Sequence, residues 1–372
     1  MTEPAGSKKP GNKKKSARLP FIDWTRGLAA VIMLQGHAFH SFTRPDLRDS
    51  GPYVISQFVG GMPPAIFQFL VGVTLAFLMH SRERAGLTPR QRVWAALRRS
   101  GYLFGLAFAF RLSLWILGWP HSPTRDLLRV DVLNAMGFSV AVLSIMAVFQ
   151  TVDRVRLCAA LGVLIAAASP IISQLDLSAI PTPIRQYIVP DYNAFGFFPW
   201  GAFVAFGMSV GSIIRLMQPE QYERAAQWAA LIGVVLISAG QYFSNVPYSI
   251  YSHSEFWLDS PWLTAVKLGV ILLILSFSYL WTRHSARNWS WIRQFGVTSL
   301  LVYWVHIELM YGRWLWFIKG RLTNGQTAAV AVAFIVLMLL LSIARTQWKN
   351  WRTLGLSLGW YFFLASRARE QE

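Results

Sequence analysis

The sequence is poor in charged residues and in cysteine. Only 14% of its 372 residues are charged, whereas 54% are hydrophobic. A soluble chain of this length needs a far larger charged surface, so this scarcity argues against a soluble helical protein. The single cysteine, Cys158, excludes an intrachain disulfide and a zinc site built on cysteines. The seven histidines show no i, i+4 spacing, and the sequence therefore predicts no metal site.

Acidic residues are also few, at 17 against 35 lysines and arginines. In a soluble protein this excess would point to nucleic acid, but here the basic residues concentrate between apolar blocks of about 20 residues, the length that a bilayer requires. Their bias to one side follows the positive-inside rule and predicts a cytoplasmic N-terminus, with membrane lipids rather than nucleic acid as partners. We predict ten spans: 19–42, 53–80, 97–118, 131–150, 156–175, 194–217, 224–244, 262–282, 295–315 and 325–345.

The predicted fold is therefore an all-α polytopic transmembrane bundle. Residues 1–18 are basic and rich in Gly, Ser and Pro, which predicts a disordered cytoplasmic tail. A single transmembrane domain follows over 19–345, and 346–372 forms a basic cytoplasmic tail. A long first apolar stretch with a charge in its middle favours an uncleaved first helix in the cell inner membrane over a signal peptide. The oligomeric state stays open, and a homodimer is compatible with the sequence.

Ionisable residues inside spans are the sharpest functional signal, because they are costly in hydrocarbon and usually face the protein interior. Arg26 and His37 are eleven positions apart, which places them on one face of the first span about 16 Å from each other. His40 lies within about 60° of that face. Asp23 is placed to pair with Arg26 at the membrane edge.

The ninth span carries a second polar face. Ser299, Tyr303 and His306 share it by i, i+4 and i+7 spacing, whereas Glu308 points about 200° away from His306. A lone membrane histidine is equally well explained as an interhelical hydrogen-bonding group, so His306 alone favours neither structure nor function.

Other polar positions complete the candidate site. Arg111 lies in the third span, Asp131 and Asn134 start the fourth, and Asp131 is placed to neutralise Arg111. Lys267 is a further charge, in the eighth span. The pair Pro63-Pro64 must break helical hydrogen bonding in the second span, and we expect this break to line a cavity.

Six arginines lie in the cytoplasmic segment 81–99. Two interpretations fit them. They orient the protein and bind anionic lipid headgroups, or they form a docking surface for a phosphorylated ligand such as coenzyme A.

Several segments resemble membrane-bound acyltransferases. The run Ile22–Ala30 with His37 resembles the first helix of the acyltransferase-3 family, whose signature is an Arg, ten residues and a His. The related heparan-α-glucosaminide N-acetyltransferase-like group is resembled at Pro64–Val73, Arg129–Asn134 and Phe198–Gly201. The run Ser299–His306 is similar to a motif near the C-terminus of both groups.

The resemblance implies an acyltransferase with acyl-CoA, in the first place acetyl-CoA, as cytoplasmic donor substrate and no permanently bound cofactor. The acceptor it implies is a cell-envelope carbohydrate. His37 would take the proton from an acceptor hydroxyl or amine, or form an acyl-histidine, and Arg26 would hold a phosphate or the carbonyl oxygen of the donor. His40 is the competing base, because the second group can place its histidine slightly later. The remaining residues would orient the acceptor, stabilise the oxyanion or bind substrate: His306, Tyr303, Ser299, Arg111, Asp131 and Asn134.

Two other classes of function stay open at this point. A secondary transporter would use Arg26, His37 and Glu308 as a path for protons and substrate. The absence of a convincing internal repeat weakens that reading, since many transporters carry one. A non-catalytic membrane sensor derived from an acyltransferase is the third class.

Overall fold

The protein is an all-α bundle, here described from a computed structural model that covers residues 19–285 and 289–369, with side chains to residue 348. No strand forms in these ranges, where only isolated bridges pair Thr43 with Leu322 and Asp191 with Ala194. The α-helices are α1 Pro20–Phe42, α2 Gly51–Gly60, α3 Pro63–Arg84, α4 Pro89–Gly118, α5 Val132–Leu143, α6 Thr151–Ser173, α7 Thr182–Arg185, α8 Phe197–Leu216, α9 Tyr222–Ser244, α10 Pro261–His284, α11 Trp291–Val297, α12 Ser299–Tyr311 and α13 Asn324–Arg369.

Local signals explain where several helices begin. Proline occupies the first position of α1, α3, α4 and α10, where its missing N–H has no helical partner to lose. Thr88 and Gln91 form a capping box at the start of α4. Asp131 and Asn134 do the same for α5.

Among the described residues, eight helical segments are long and apolar enough to cross a membrane, and they coincide with eight of the ten predicted spans. The two others are α1 and the pair α11 and α12. Polar residues such as Asp23 and Arg26 reduce the hydropathy of α1, and a break at Thr298 divides the ninth predicted span. That these two segments, which carry the site, cross the membrane stays a prediction. The cytoplasmic position of both termini also stays a prediction.

The structure describes only one of the two predicted tails. Residues 1–18 lie outside the described residues. The last helix, α13, continues past the predicted end of its span at residue 345 and reaches Arg369, so the backbone of 346–369 is helical.

A break in the second predicted span separates α2 from α3. Gln57 on α2 donates a hydrogen bond to the carbonyl of Gly36 on α1 (3.0 Å), and Ser56 donates one to the side chain of Gln35 (2.9 Å). Gly36 and Gly60 bring the two backbones into contact. The short α2 therefore holds α1 immediately beside His37.

Helix α1 and the pair α11 and α12 run parallel in one register over their whole length. Gly27 meets Gly296, His37 meets His306, and the Ser41 hydroxyl donates to the Met310 carbonyl at 2.8 Å. Each partner lies 269 residues further along the chain. Small residues at one end let the backbones touch, which sets the depth at which the two histidines meet.

We expect Gly27→Ala to destabilise the protein by about 1–3 kcal/mol, because its methyl group would overlap the carbonyl oxygen of Ile292. The measurement is thermal unfolding of the detergent-purified protein. Gly105→Ala is the matched control, since a methyl group there meets open space. Equal melting temperatures for the two variants would contradict the close packing of α1 against α11.

Candidate active site

Two histidines from distant parts of the chain form the centre of the site. The Nδ1 atom of His37 lies 3.0 Å from the Nε2 atom of His306, and the two ring planes differ by 21°. The Nδ1 atom of His306 lies 2.7 Å from the carbonyl oxygen of Val302. His306 is fully buried.

These contacts assign the protons of the pair. A carbonyl oxygen only accepts, so the Nδ1 atom of His306 carries a hydrogen and donates it to Val302. In the neutral ring the Nε2 atom of His306 is then an acceptor, and the Nδ1 atom of His37 must donate to it. The Nε2 atom of neutral His37 therefore keeps a free lone pair. This is the arrangement of a general base held in one tautomer by its neighbour.

His37 lines a cavity of about 610 Å³ near the C-terminal end of α1, here called the outer cavity. As predicted, the break between α2 and α3 forms part of its wall, through Gly60, Pro63 and Pro64. Aromatic side chains from α3, α4 and α12 line it as well, among them Phe67, Phe110, Trp115, Tyr303 and Tyr311.

An ion pair lies in the wall of the outer cavity. The Nε atom of Arg111 is 3.3 Å from a carboxylate oxygen of Asp131, and both side chains are largely buried, as the sequence predicted. The other oxygen of Asp131 accepts the backbone N–H groups of Leu133 and Asn134. Asn134 in turn donates to the Tyr187 hydroxyl (3.1 Å), and burial raises the pKa of this phenol. Asn134 therefore supports the cavity wall rather than lining it.

His40 lies in the same cavity, but within the described residues no hydrogen bond joins its ring to the histidine pair. Its Nδ1 atom is 3.0 Å from the hydroxyl of Tyr311, whose ring packs edge-on against His37. Lys319 donates to the carbonyls of Tyr311 and Gly312 at the end of α12, and burial lowers the pKa of this lysine. Of the two competing bases, His37 is thus the one with a fixed tautomer.

Glu308 also lines the outer cavity, where the sequence did not place it. Helical spacing correctly turned it away from His306, but the cavity extends around α12 and reaches its other side. The Ser113 hydroxyl donates to one of its carboxylate oxygens at 2.9 Å. The one signal in the sequence that points to Glu308 is a carboxylate within an apolar span, a placement that is costly and therefore marks function.

A second cavity, of about 460 Å³, lies toward the N-terminal end of α1 and is called the inner cavity. Arg26, Arg99 and Arg345 line it, together with Ser299 at the start of α12. Arg26 also pairs with Asp23 at 3.2 Å, as predicted. Arg26 and His37 share a face of α1, as the spacing indicated, but they open into different cavities.

Three side chains line both cavities: Phe67, Val132 and Tyr303. Phe67 packs against each of the three hydrophobic clusters of the bundle. These side chains therefore form the boundary between the two cavities, and Tyr303 lies one helical turn before His306.

The arginines of segment 81–99 do not act as one surface. Arg92 is buried, bonds to the carbonyls of Val148 and Phe149, and lies 3.7 Å from Glu83. Arg98 lies over the ring of Trp94, and within the segment only Arg99 lines the inner cavity. The prediction of a docking surface made of all six arginines is therefore wrong in including Arg92, whose role is structural.

The fold and the site define a polytopic membrane protein with a buried histidine pair beside two cavities. The family model described as heparan-alpha-glucosaminide N-acetyltransferase, catalytic, matches residues 18–247. This is more than half of the chain, and the protein belongs to that family of membrane N-acetyltransferases. The match contains His37, Arg111 and Asp131, whereas His306 and Glu308 lie beyond it. No curated protein matches the chain. The resemblance of Arg26 and His37 to the acyltransferase-3 signature stays a prediction.

Proposed function

We propose that the protein transfers an acetyl group from cytoplasmic acetyl-CoA to an amine or hydroxyl of a cell-envelope carbohydrate. The observation that carries this proposal is the free Nε2 lone pair of His37 in a cavity that abuts a second, arginine-lined cavity. The donor enters the inner cavity and the acceptor enters the outer one. With the N-terminus of α1 cytoplasmic, the inner cavity lies toward the cytoplasmic end of α1 and the outer cavity toward its opposite end.

The chemistry follows from the tautomer of the pair. The Nε2 atom of His37 takes a proton from the acceptor as it attacks the thioester carbonyl carbon. The protonated ring keeps its Nδ1 hydrogen bond to the neutral His306 acceptor, which stabilises the new charge. Tyr303 borders both cavities and donates to the developing oxyanion. The carbon–sulfur bond breaks, and the thiolate receives the proton back from His37.

The donor's phosphates are anionic, and the inner cavity offers the matching charge. Arg26, Arg99 and Arg345 supply guanidinium groups, which bind phosphate oxygens in bidentate fashion. The backbone N–H groups at the start of α12, around Ser299, add a helix N-terminus on the same side.

The test is transfer of label from radioactive acetyl-CoA in nanodiscs, with glucosamine and its oligosaccharides as acceptors. We expect labelled acceptor and one equivalent of released coenzyme A. Label on the protein in the absence of acceptor would indicate an acyl-histidine step. Absence of transfer to every amine and hydroxyl acceptor, with substrate flux in proteoliposomes, would favour the transporter class instead.

Arg99→Gln should raise the KM for acetyl-CoA about tenfold with little change in kcat, because a charge-assisted hydrogen bond contributes roughly 1.5–3 kcal/mol of binding energy. Arg98→Gln is the matched control. It is the adjacent arginine on α4 and also lies over an aromatic ring, but it does not line the inner cavity. Equal KM values for the two variants would place the donor elsewhere.

A further inference from the structure

Glu308 is a buried carboxylate in the outer cavity that the mechanism above does not use. Its residue is only 8% exposed. One carboxylate oxygen accepts from Ser113 at 2.9 Å, and the other, Oε2, has no hydrogen-bond partner in the part of the chain that the structure describes. A polar group buried in this way usually has a partner, so its partner is to be sought in a ligand.

Three arginines line the outer cavity with Glu308, and none of them forms an ion pair with it within the described residues. On the helix facing it, Arg111 pairs with Asp131 at the start of α5. At the mouth of the cavity, Arg129 donates to the carbonyl of Asn193 and Arg313 to that of Trp119.

None of the other titratable groups that line the cavity is a permanently charged cation. They are His37 and His40 on α1, Tyr303 and Tyr311 on α12, and Asp126 between α4 and α5. No ion pair of Glu308 is found within the described residues, so a cationic ligand group would supply the counter-charge that its ionised form needs.

We propose that Glu308 binds the acceptor as an ammonium ion and accepts its first proton, an inference that rests on the proposed function. An amine in water enters as R–NH₃⁺ and must lose two protons before it ends as an amide. A hydroxyl loses only one. Two residues that can accept a proton line the outer cavity, Glu308 and His37, which matches the requirement of the amine.

R–NH₃⁺ gives one proton to Glu308, and the resulting amine attacks the thioester carbon, so that a nitrogen–carbon bond forms. The second proton goes to His37 and the carbon–sulfur bond breaks. The thiolate takes the proton of His37, and Glu308 releases its proton to water at the mouth of the cavity. The products are the amide, coenzyme A thiol and one proton.

The experiment compares two acceptors in one preparation of purified protein. Glucosamine is largely an ammonium at neutral pH, whereas an O-alkylhydroxylamine is an uncharged amine and has one proton fewer to lose. For Glu308→Gln, we expect the ratio of kcat/KM for glucosamine to that for the neutral amine to fall at least tenfold at pH 7. The deficit should disappear as the pH rises through the pKa of glucosamine, since the free amine then predominates. This ratio cancels any loss of folded protein.

Glu308→Asp is the matched variant, because it keeps the carboxylate and should keep the wild-type ratio even if both rates fall. An unchanged ratio in Glu308→Gln, or a deficit that does not vary with pH, would overturn the role of Glu308. Failure of the wild type to acetylate either amine, with transfer to a carbohydrate hydroxyl, would overturn the ammonium role of Glu308 and leave the proposed acetyl transfer standing. Failure with every amine and hydroxyl acceptor would overturn the proposed function itself, so the two failures are distinguishable.

Discussion

Replacement of His37 by glutamine lowers kcat/KM for acetyl transfer by a factor of about 10²–10⁴, the contribution expected of a positioned general base. The reason is the lone pair on its Nε2 atom, which the bond from His37 to His306 leaves free. Glutamine has comparable size and polarity but cannot take a proton at neutral pH. The measurement is steady-state transfer from radioactive acetyl-CoA, with the melting temperature as a check of folding.

The same experiment separates the three histidines. His40→Gln is the control, because the hydrogen bond of the His40 ring goes to Tyr311 rather than to either histidine of the pair. We expect it to keep activity within a few-fold of wild type. The kcat/KM of His306→Ala should lie between those of the His37 and His40 variants. This change removes the acceptor that holds the His37 tautomer but leaves the base itself. A His40 variant as inactive as the His37 variant would move the base to His40.

Glu83→Gln should destabilise the bundle by about 2–4 kcal/mol, less than the removal of one partner from a fully buried ion pair, because solvent reaches the Glu83 side chain in part. Glu83 ends α3 and lies 2.9 Å from Arg154, whose side chain is fully buried at the start of α6. It also accepts hydrogen bonds from the N–H and hydroxyl of Thr151 (3.2 and 2.7 Å) and lies near Arg92. Loss of the carboxylate leaves two buried guanidinium groups without a counter-charge.

Thermal unfolding in detergent measures this effect, with Glu220→Gln as an exposed control on the same predicted side of the membrane. The double variant Glu83→Gln with Arg154→Met should melt at a higher temperature than Glu83→Gln alone, because it removes the uncompensated cation along with its partner. Equal melting temperatures for the Glu83 variant and the Glu220 control would refute a stabilising role for this ion pair.

Much of the site follows from local patterns. Helical spacing placed Arg26 and His37 on one face and turned Glu308 away from His306. Both statements hold in the structure, because the periodicity of a helix is a property of the segment itself. The ion pairs of Asp23 with Arg26 and of Arg111 with Asp131 were also predicted, since each buried charge needs a nearby opposite charge.

Other expectations failed where they depended on the packing of distant segments. The arginines of 81–99 look equivalent in sequence, yet Arg92 turns inward to Glu83 while Arg99 lines the inner cavity. Helical spacing gives the direction of Glu308 but not the position of the cavity, so it does not predict that Glu308 lines the outer cavity with His37. The ninth predicted span is divided at Thr298, a break that its apolar composition conceals.

The sequence by itself determined that this protein is a membrane bundle, which helices carry ionisable groups, and which faces those groups occupy. Hydropathy and helical periodicity are local, so they can be read without a partner. Only the tertiary structure decided that His37 meets His306, 269 residues away, and that the shared face of Arg26 and His37 opens into two cavities. Those facts depend on the register between α1 and α12, which close contact at Gly27 and Gly296 sets.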